Sequence, residues 1–282
     1  MGRRAIETVA VIGAGEMGAA VGRQLRQAGL RAVTSLQGRG VRTTARANAA
    51  GIEDAGSLAG AVAACDLFLS IVPPGQALAL AQAVGRDTVP LYVDCNAISP
   101  RSALAVGEVV GDRYVDAAII GFPDAPRLYA CGPHAPELEA LPLDVRVMEG
   151  PIGRASGLKM CYASITKGLT SLLTEAMVAA EASGLLETLE RELAESQPQL
   201  LAGARRGIPA MLPKAHRWVA EMEEIAATFV ALNLTPKMHE GAADVYRFVE
   251  SASLAPTVGD LDEAVRQLGH SLAAEAAARL PS

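Results

Sequence analysis

Residues 9–18 read Val-Ala-Val-Ile-Gly-Ala-Gly-Glu-Met-Gly, an apolar strand that breaks into a Gly-x-Gly-x-x-Gly loop and continues as an alanine-rich helix ending at Gly29. The first glycine allows a sharp turn, the second allows the backbone to approach a pyrophosphate, and the third allows the helix to pack against the strand. The N-terminus of the helix then favours the bound anion. A tight turn that binds no ligand is the alternative. We predict a dinucleotide site whose contacts include Gly13, Gly15, Glu16, Met17 and Gly18.

Length and composition narrow the class of protein. The chain has 282 residues, half of them hydrophobic, and a formal net charge of −6. No uninterrupted apolar run approaches the roughly 18 to 20 residues that cross a bilayer, and the negative charge argues against nucleic-acid or anionic-membrane partners. The four cysteines are spread about 30 residues apart without a Cys-x-x-Cys pair, which is typical of reduced cytosolic thiols. We expect a cytoplasmic protein that acts on a small molecule and holds no metal ion.

The first half of the chain alternates strand-like and helix-like segments, as a doubly wound parallel α/β sheet of the Rossmann type requires. The predicted strands are Thr8–Ile12, Arg31–Leu36, Leu67–Val72, Leu91–Asp94, Tyr114–Ala118, Arg127–Cys131 and Val145–Met148. The predicted helices between them are Glu16–Ala28, Gly40–Ala50, Ser57–Ala64, Gly75–Val84 and Arg101–Val110, with Ser57 as an N-cap.

The pattern changes near Pro151. From Gly153 to Gly184 the chain contains no proline and keeps a helical apolar period, which predicts a helix on the order of 45 Å long. The rest of the chain is also typical of helix, including Leu185–Ser196, Ala215–Leu232 and Leu261–Arg279. We predict a Rossmann-like cofactor-binding domain over residues 1–150 and an all-α substrate and dimerisation domain over residues 151–282, connected by a long interdomain helix.

The end of the second strand distinguishes NAD from NADP. An acidic residue there binds the adenosine ribose, whereas a nearby arginine suits a 2′-phosphate. Residues 34–43 contain no carboxylate, but Ser35 can donate to a phosphate oxygen and Arg39 or Arg42 can form a charge-assisted pair with it. We predict NADP (NADPH) as the cofactor; arginines that only solvate a loop are the alternative.

Further cofactor contacts are predicted where later strands end. The apolar run 67–72 stops at Pro73-Pro74, which places that turn at the carboxyl end of a strand, where ligands bind in such sheets. A plain loop is equally consistent with these residues. Val72, Pro73 and Asn96 complete the predicted cofactor site.

Four motifs connect the chain to a known family. They are the opening Gly-x-Gly-x-Met-Gly, Asp94-x-x-x-x-Ser99-Pro100, Val115-Asp116-Ala117, and Gly153-x-x-x-x-x-Lys159-Met160. With them the sequence resembles, over nearly its whole length, the β-hydroxyacid dehydrogenase superfamily, which includes 3-hydroxyisobutyrate and 6-phosphogluconate dehydrogenases. The stretches 159–163 and 217–224 are similar to a poorly characterised branch with its own helical C-terminal domain. The resemblance implies an NADP-dependent oxidoreductase that interconverts an alcohol and a carbonyl compound.

By this resemblance Lys159 is the catalytic proton donor and acceptor, placed early in the interdomain helix and pointing at the cleft. A lysine beside the substrate oxygen stabilises developing negative charge and delivers the proton, more readily if burial lowers its pKa. Without the resemblance, a surface lysine on an amphipathic helix is the simpler interpretation. Tyr162 stands near the usual asparagine or histidine and could donate a hydrogen bond to the substrate. Lys167 is expected to be structural or solvated.

The chain also departs from the family. In the motif Asp-x-Pro-Val-Ser-Gly-Gly, whose serine and glycines bind a substrate carboxylate, the serine becomes Ile120 and the second glycine Phe122. A further family lysine falls near Glu221, beside Glu223 and Glu224. These changes favour a bulkier substrate that is neutral or cationic. The predicted pocket contains Ile120, Gly121, Phe122, Trp218, Glu221 and Met222, with a purely structural Trp218 as the alternative.

The same resemblance implies other functions and an assembly. Imine reductases share this architecture but usually replace the lysine, so Lys159 favours oxygen chemistry. A non-catalytic NADP-binding protein is the alternative outside enzymes, because fold does not dictate function. In this superfamily the second domain commonly interlocks with a partner subunit, which implies a homodimer with interlocked C-terminal helices.

Overall fold

The computed structural model describes residues 5–252, 254 and 259–278. The chain divides into two compact units, residues 1–161 and 162–282. The boundary falls inside one long helix.

The first unit is built on an eight-stranded sheet. Its strands are β1 (Thr8–Ile12), β2 (Arg31–Thr34), β3 (Glu53–Asp54), β4 (Leu67–Ser70), β5 (Tyr92–Asp94), β6 (Tyr114–Ile120), β7 (Arg127–Cys131) and β8 (Asp144–Val147). Their order is β3-β2-β1-β4-β5-β6-β7-β8, and every neighbouring pair is parallel except β6 and β7. The strand order reverses between β1 and β4, which confirms the predicted doubly wound, Rossmann-like sheet.

Helices connect the parallel strands. They are α1 (Glu16–Gln27), α2 (Val41–Ala49), α3 (Leu58–Ala64), α4 (Ala77–Val84) and α5 (Pro100–Val110). The predicted strands and helices agree with the observed ones to within a few residues at their ends. Ser57 caps α3 as predicted, because its Oγ accepts the backbone N–H of Gly60 at 3.0 Å. The sequence did not indicate β3, since two exposed acidic residues carry no apolar pattern.

Both faces of the sheet are covered, which explains the uninterrupted apolar strands of this half. Alternate residues of one strand enter opposite cores: Val9 and Val11 pack on one face, whereas Ala10 and Ile12 pack on the other. The second face also contains stacked aromatic side chains, with the rings of Phe68 and Tyr92 4.9 Å apart. The buried strands therefore form a rigid base for the loops at their carboxyl ends.

The described residues that follow the sheet are mainly helical. Their helices are α6 (Arg154–Ala182), α7 (Leu186–Ser196), α8 (Pro198–Met211), α9 (Ala215–Ala231), α10 (Lys237–Ser251) and α11 (Leu261–Ala278). The 29 residues of α6 span about 44 Å and confirm the predicted long helix and all-helical second half. The predicted end of the last helix, Arg279, lies outside the described residues. No helix in the described ranges is long and apolar enough to cross a membrane.

Candidate functional site

The glycine loop lies between β1 and α1, at the carboxyl edge where the strand order reverses. Gly13 has φ +103°, and a methyl group on it would lie 2.2 Å from the carbonyl oxygen of Ile71. A methyl group on Gly18 would lie 2.1 Å from the carbonyl oxygen of Gly13. The first and third glycines are therefore required by close backbone contacts within the protein itself.

Gly15 has a different environment. It is the N-cap of α1, with φ −69° and no side-chain capping bond, and a methyl group on it would meet no protein atom within 4 Å. The backbone at the start of α1 thus faces open space that a side chain would fill. Glu16 is exposed beside it, and Met17 packs partly buried on the sheet core. This cradle fits a dinucleotide pyrophosphate bound to a helix N-terminus.

The end of β2 presents basic side chains and one carboxylate that the sequence did not indicate. Arg39 and Arg42 are exposed and form no ion pair with any described residue, and Ser35 is half-buried. The carboxylate is that of Asp54, which lies on β3. Its Oδ1 already accepts the backbone N–H groups of Leu36 at 3.1 Å and of Gly56 at 2.9 Å. Asp54 lies on a separate strand, outside residues 34–43, so the sequence around the end of β2 does not indicate it.

Asn96 holds the turn that follows β4. Its Oδ1 accepts the backbone N–H of Val72 at 2.7 Å, and its Nδ2 donates to the Oγ of Ser70 at 2.8 Å. Asn96 is 2% exposed, whereas Pro73 is exposed. The amide is therefore engaged by protein groups, and direct cofactor contacts from Asn96, Val72 and Pro73 stay predictions.

Asp94 lies beneath this turn. Its Oδ1 accepts the backbone N–H of Asn96 at 2.8 Å, and its other oxygen is buried with no hydrogen-bond partner among the described residues. Burial raises the pKa of Asp94 to about 7, and the neighbouring carboxylate of Asp116, in register on β6, adds to that increase. The carboxyl in this network is thus partly protonated near neutral pH.

Asp116 receives the start of α6. Its Oδ2 accepts the backbone N–H groups of Gly153 at 2.8 Å, Ala155 at 3.1 Å and Ser156 at 3.2 Å, and its Oδ1 accepts the hydroxyl of Ser156 at 2.6 Å. The thiol of Cys131 donates to Oδ2 at 3.1 Å. A strand residue therefore caps this helix. In the sequence Asp116 stands out only as part of the motif Val115-Asp116-Ala117, and the signal of its buried role is an acidic residue inside an apolar strand.

Lys159 lies one and a half turns into α6. It is half-buried, and its Nζ donates to the carbonyl oxygen of Ile119 on β6 at 2.6 Å. Burial lowers the pKa of Lys159 to about 8. Beyond Ile119 the strand ends at buried Ile120, Gly121 has φ +115°, and Phe122 is 80% exposed. The structure thus places the predicted catalytic lysine beside the end of β6, which carries Ile120 and leads into Gly121 and Phe122.

The remaining predicted site residues lie in the second unit. Glu221 forms an ion pair with Lys167, whose Nζ lies 5.1 Å from the ring centroid of Trp218. Tyr246 packs edge-on against Trp218 and donates its hydroxyl to the carbonyl oxygen of Lys167 at 2.5 Å. Lys167 is therefore structural rather than solvated. Tyr162 is exposed on α6 and Met222 is fully buried in the helical unit.

Two acidic residues of α9 form ion pairs with basic side chains of the protein. Glu221 is paired with Lys167, and Glu223 is paired with Arg247, which also contacts Asp244. Two of the three carboxylates are thus neutralised locally, and the reason for expecting a cationic substrate is weakened. Substrate contacts from Tyr162, Trp218 and Glu221 stay predictions.

Two protein families match separate parts of the chain. Residues 8–97 match the family described as NADP oxidoreductase, coenzyme F420-dependent, and residues 180–249 match a domain of unknown function, DUF1932. An uncharacterized 28.5 kDa protein of Methanothermus fervidus is 26% identical over 223 residues, which are 77% of this chain and 89% of that protein. The oxidoreductase family match, over residues 8–97, contains the glycine loop and the ends of β2, β4 and β5.

Solved structures extend the comparison to almost the whole chain. MTH1747, a conserved protein of unknown function with structural similarity to 3-hydroxyacid dehydrogenases, is 29% identical, with a TM-score of 0.64 over 93% of this chain and 99% of that one. The 3-hydroxyisobutyrate dehydrogenase of Mycobacterium tuberculosis, solved with L-serine, shares the fold at 20% identity, with a TM-score of 0.63 over 95% and 99%. Together with the two family matches, this likeness confirms the resemblance of the motifs to the β-hydroxyacid dehydrogenase-like superfamily.

Proposed function

We propose that the protein is an NADPH-dependent oxidoreductase that interconverts an alcohol and a carbonyl compound, with Lys159 as proton donor and acceptor. The observation that carries this proposal is the half-buried lysine at the end of β6, whose pKa burial lowers to about 8. An amine that titrates near neutral pH can give and take protons under physiological conditions. NADP binding is assigned to residues 1–150, and the cytoplasmic location stays a prediction.

The chain supplies the proton chemistry and the binding surface. A nicotinamide cofactor held by the glycine loop would supply or accept the hydride. The Lys159 ammonium would stabilise negative charge on the substrate oxygen and protonate it, and the neutral amine would remove that proton in the reverse direction. The hydrogen bond from Nζ to the carbonyl of Ile119 would hold the amine in place between turnovers. The side chains of Ile120 and Phe122 carry no polar group to bind a carboxylate, which favours a neutral substrate.

Replacing the lysine tests its role directly. Lys159→Met is expected to lower kcat for carbonyl reduction on the order of 10²- to 10⁴-fold, because proton donation is lost. In the wild type, reduction should decline as pH rises through about 8, where the ammonium deprotonates, and oxidation should increase over the same range. The measurement is NADPH consumption or formation against pH, with aldehyde acids, neutral ketones and cyclic imines as substrates.

Lys237→Met is the matched control, since Lys237 is an exposed lysine at the start of α10. It should retain wild-type rates. Turnover that is indifferent to Lys159 would refute its role. Binding of NADPH without turnover of any compound would instead indicate the non-catalytic alternative.

The glycine loop offers a paired test of cofactor binding. Gly15→Ala should fold like the wild type but lose NADPH affinity, because its methyl group would occupy space that no protein atom fills. Gly18→Ala should lower the free energy of unfolding by about 1 to 3 kcal/mol, since its methyl group would overlap the carbonyl of Gly13. Thermal unfolding and NADPH fluorescence titration measure the two effects. Unchanged NADPH affinity in Gly15→Ala would contradict the proposed cofactor site.

The preference for NADP is assigned to Ser35 and Arg39. Arg39→Ala should raise KM for NADPH by about 10- to 100-fold, because a charge-assisted bond to the 2′-phosphate is lost, and should leave KM for NADH within about twofold. Steady-state kinetics with both cofactors measure this change. Arg46→Ala, an exposed arginine later in α2, is the control for general charge loss. Equal loss with both cofactors would contradict a 2′-phosphate contact.

Imine reduction is the second candidate function. It is supported by the missing carboxylate anchor, since Ile120 is buried and apolar and Phe122 is exposed. The lysine argues against it, because an iminium ion needs no proton from such a donor. Turnover of cyclic imines only, with Lys159→Met fully active, would select this alternative.

We also propose that the protein forms a homodimer through α6. Tyr162, Ile165, Leu169 and Leu172 are all exposed, at spacings of three and four residues that form one apolar stripe. Contiguous exposed apolar surface of this kind is typical of an interaction face. A second copy of the same helix matches it in length and character, and the family resemblance also implies a dimer.

Leu172→Glu is expected to convert the dimer to a monomer, because a charge would be buried in the apolar stripe. Sedimentation equilibrium measures the change in mass. Leu234→Glu makes the same substitution at an exposed leucine between α9 and α10, outside the stripe, and should remain dimeric. A monomeric wild-type protein would refute the proposed dimer.

A further inference from the structure

The contact between β6 and α6 has two fixed points. At the first, both carboxylate oxygens of Asp116 receive donors from the start of the helix. At the second, the Nζ of Lys159 donates to the carbonyl of Ile119. Asp116 and Ile119 are three residues apart on the strand, and Ser156 and Lys159 are three residues apart on the helix. Hydrogen bonds therefore connect β6 and α6 at two places, one at the carboxylate of Asp116 and one at the amine of Lys159.

The hydrogen bonds of Asp116 and of Lys159 act on different parts of the helix. The bonds of Asp116 act on the backbone of the first helical turn, so they determine where α6 begins and how it is rotated about its axis. The hydrogen bond of Lys159, in contrast, is made by the tip of a long flexible side chain. Its Nζ can reach the carbonyl of Ile119 only if the helix backbone is already in place. Gly153 has φ +100°, and a methyl group on it would lie 3.2 Å from the Pro100 side chain, so the entry to the helix is also confined.

We propose that Asp116 is a positioning residue for Lys159. It does not touch the reacting atoms; it holds the N-terminus of α6 against the sheet so that Nζ stays half-buried beside the end of β6. This inference rests on the proposed function of Lys159 and extends it to a second residue. The role differs from general stabilisation, since it concerns the position and environment of one amine.

Substitution should separate these two roles. Asp116→Asn keeps the size of the side chain but replaces one of the two accepting oxygens with an NH₂ group, which is a donor. The remaining oxygen cannot accept all the hydrogen bonds that the two carboxylate oxygens accept from the start of the helix. The first turn is then expected to move away from β6, and Lys159 to become more exposed to water. Ser156→Ala removes only the hydroxyl bond at 2.6 Å and should give a smaller change in the same direction.

The titration of Lys159 can be observed without turnover. The sequence contains only four lysines, at positions 159, 167, 214 and 237, so ¹³Cε-lysine labelling gives four NMR signals, and Lys159→Arg identifies the relevant one. In Asp116→Asn we expect the midpoint of Lys159 to rise from about 8 by roughly one unit toward the ordinary lysine value. We expect kcat to fall about tenfold or more through misplacement of Nζ, with KM for NADPH within about twofold of the wild type.

Asp66→Asn is the matched control. The carboxylate of Asp66 accepts the backbone N–H groups of Glu7 and Thr8 at the amino ends of the strands, at 3.1 and 3.0 Å. This variant should lose stability without moving the Lys159 midpoint. If Asp116→Asn and Ser156→Ala unfold more easily but leave the midpoint unchanged, Asp116 is merely structural and the proposal is overturned. A shifted midpoint in a protein that turns over no substrate would uphold the positioning role and refute the proposed function alone.

Discussion

The buried carboxylate of Asp116 joins the sheet to the long helix, and much of the candidate site depends on it. A helix start leaves N–H groups without intrahelical acceptors, and burying them unpaired is costly. Here three backbone groups and one hydroxyl from residues 153–156 converge on a single side chain of β6. The carboxylate in turn lies at the positive end of the helix dipole. Each partner therefore compensates for the burial of the other.

The same edge of the sheet links this junction to the glycine loop through short contacts. Gly13 packs against the carbonyl of Ile71, and the next residue, Val72, donates to Asn96. Asn96 donates in turn to Asp94, which stands in register with Asp116 on the neighbouring strand. The ends of β1, β4 and β5 are thus connected from the turn that fits a pyrophosphate to Asp94, whose neighbour on β6 is the carboxylate that caps the helix carrying Lys159. A rigid edge of this kind suits a site that must hold two reactants in one geometry.

The sequence predicts the parts of this arrangement that are local. The glycine loop, the alternation of strands and helices, and the length of α6 all depend on short-range patterns, and the structure confirms the sheet and the helical second half. Contacts between distant residues leave no such pattern. The pairing of Lys167 with Glu221 joins positions 54 residues apart, and Asp54 reaches the end of β2 from another strand. The burial that lowers the pKa of Lys159 likewise results from tertiary packing.

Charge pairing also changes how the departures from the family are interpreted. By the resemblance, Ile120 stands where the family has a serine and Glu221, in a looser correspondence, where it has a lysine, and both family residues would favour an anionic substrate. Taken alone, Glu221 suggests attraction of a cation, but its pairing with Lys167, which lies over the Trp218 ring, neutralises that charge within the helical unit. Neither an anion nor a cation is then favoured by these positions. The proposed neutral carbonyl substrate therefore rests on the apolar end of β6 beside the amine of Lys159, and not on a charge at Glu221.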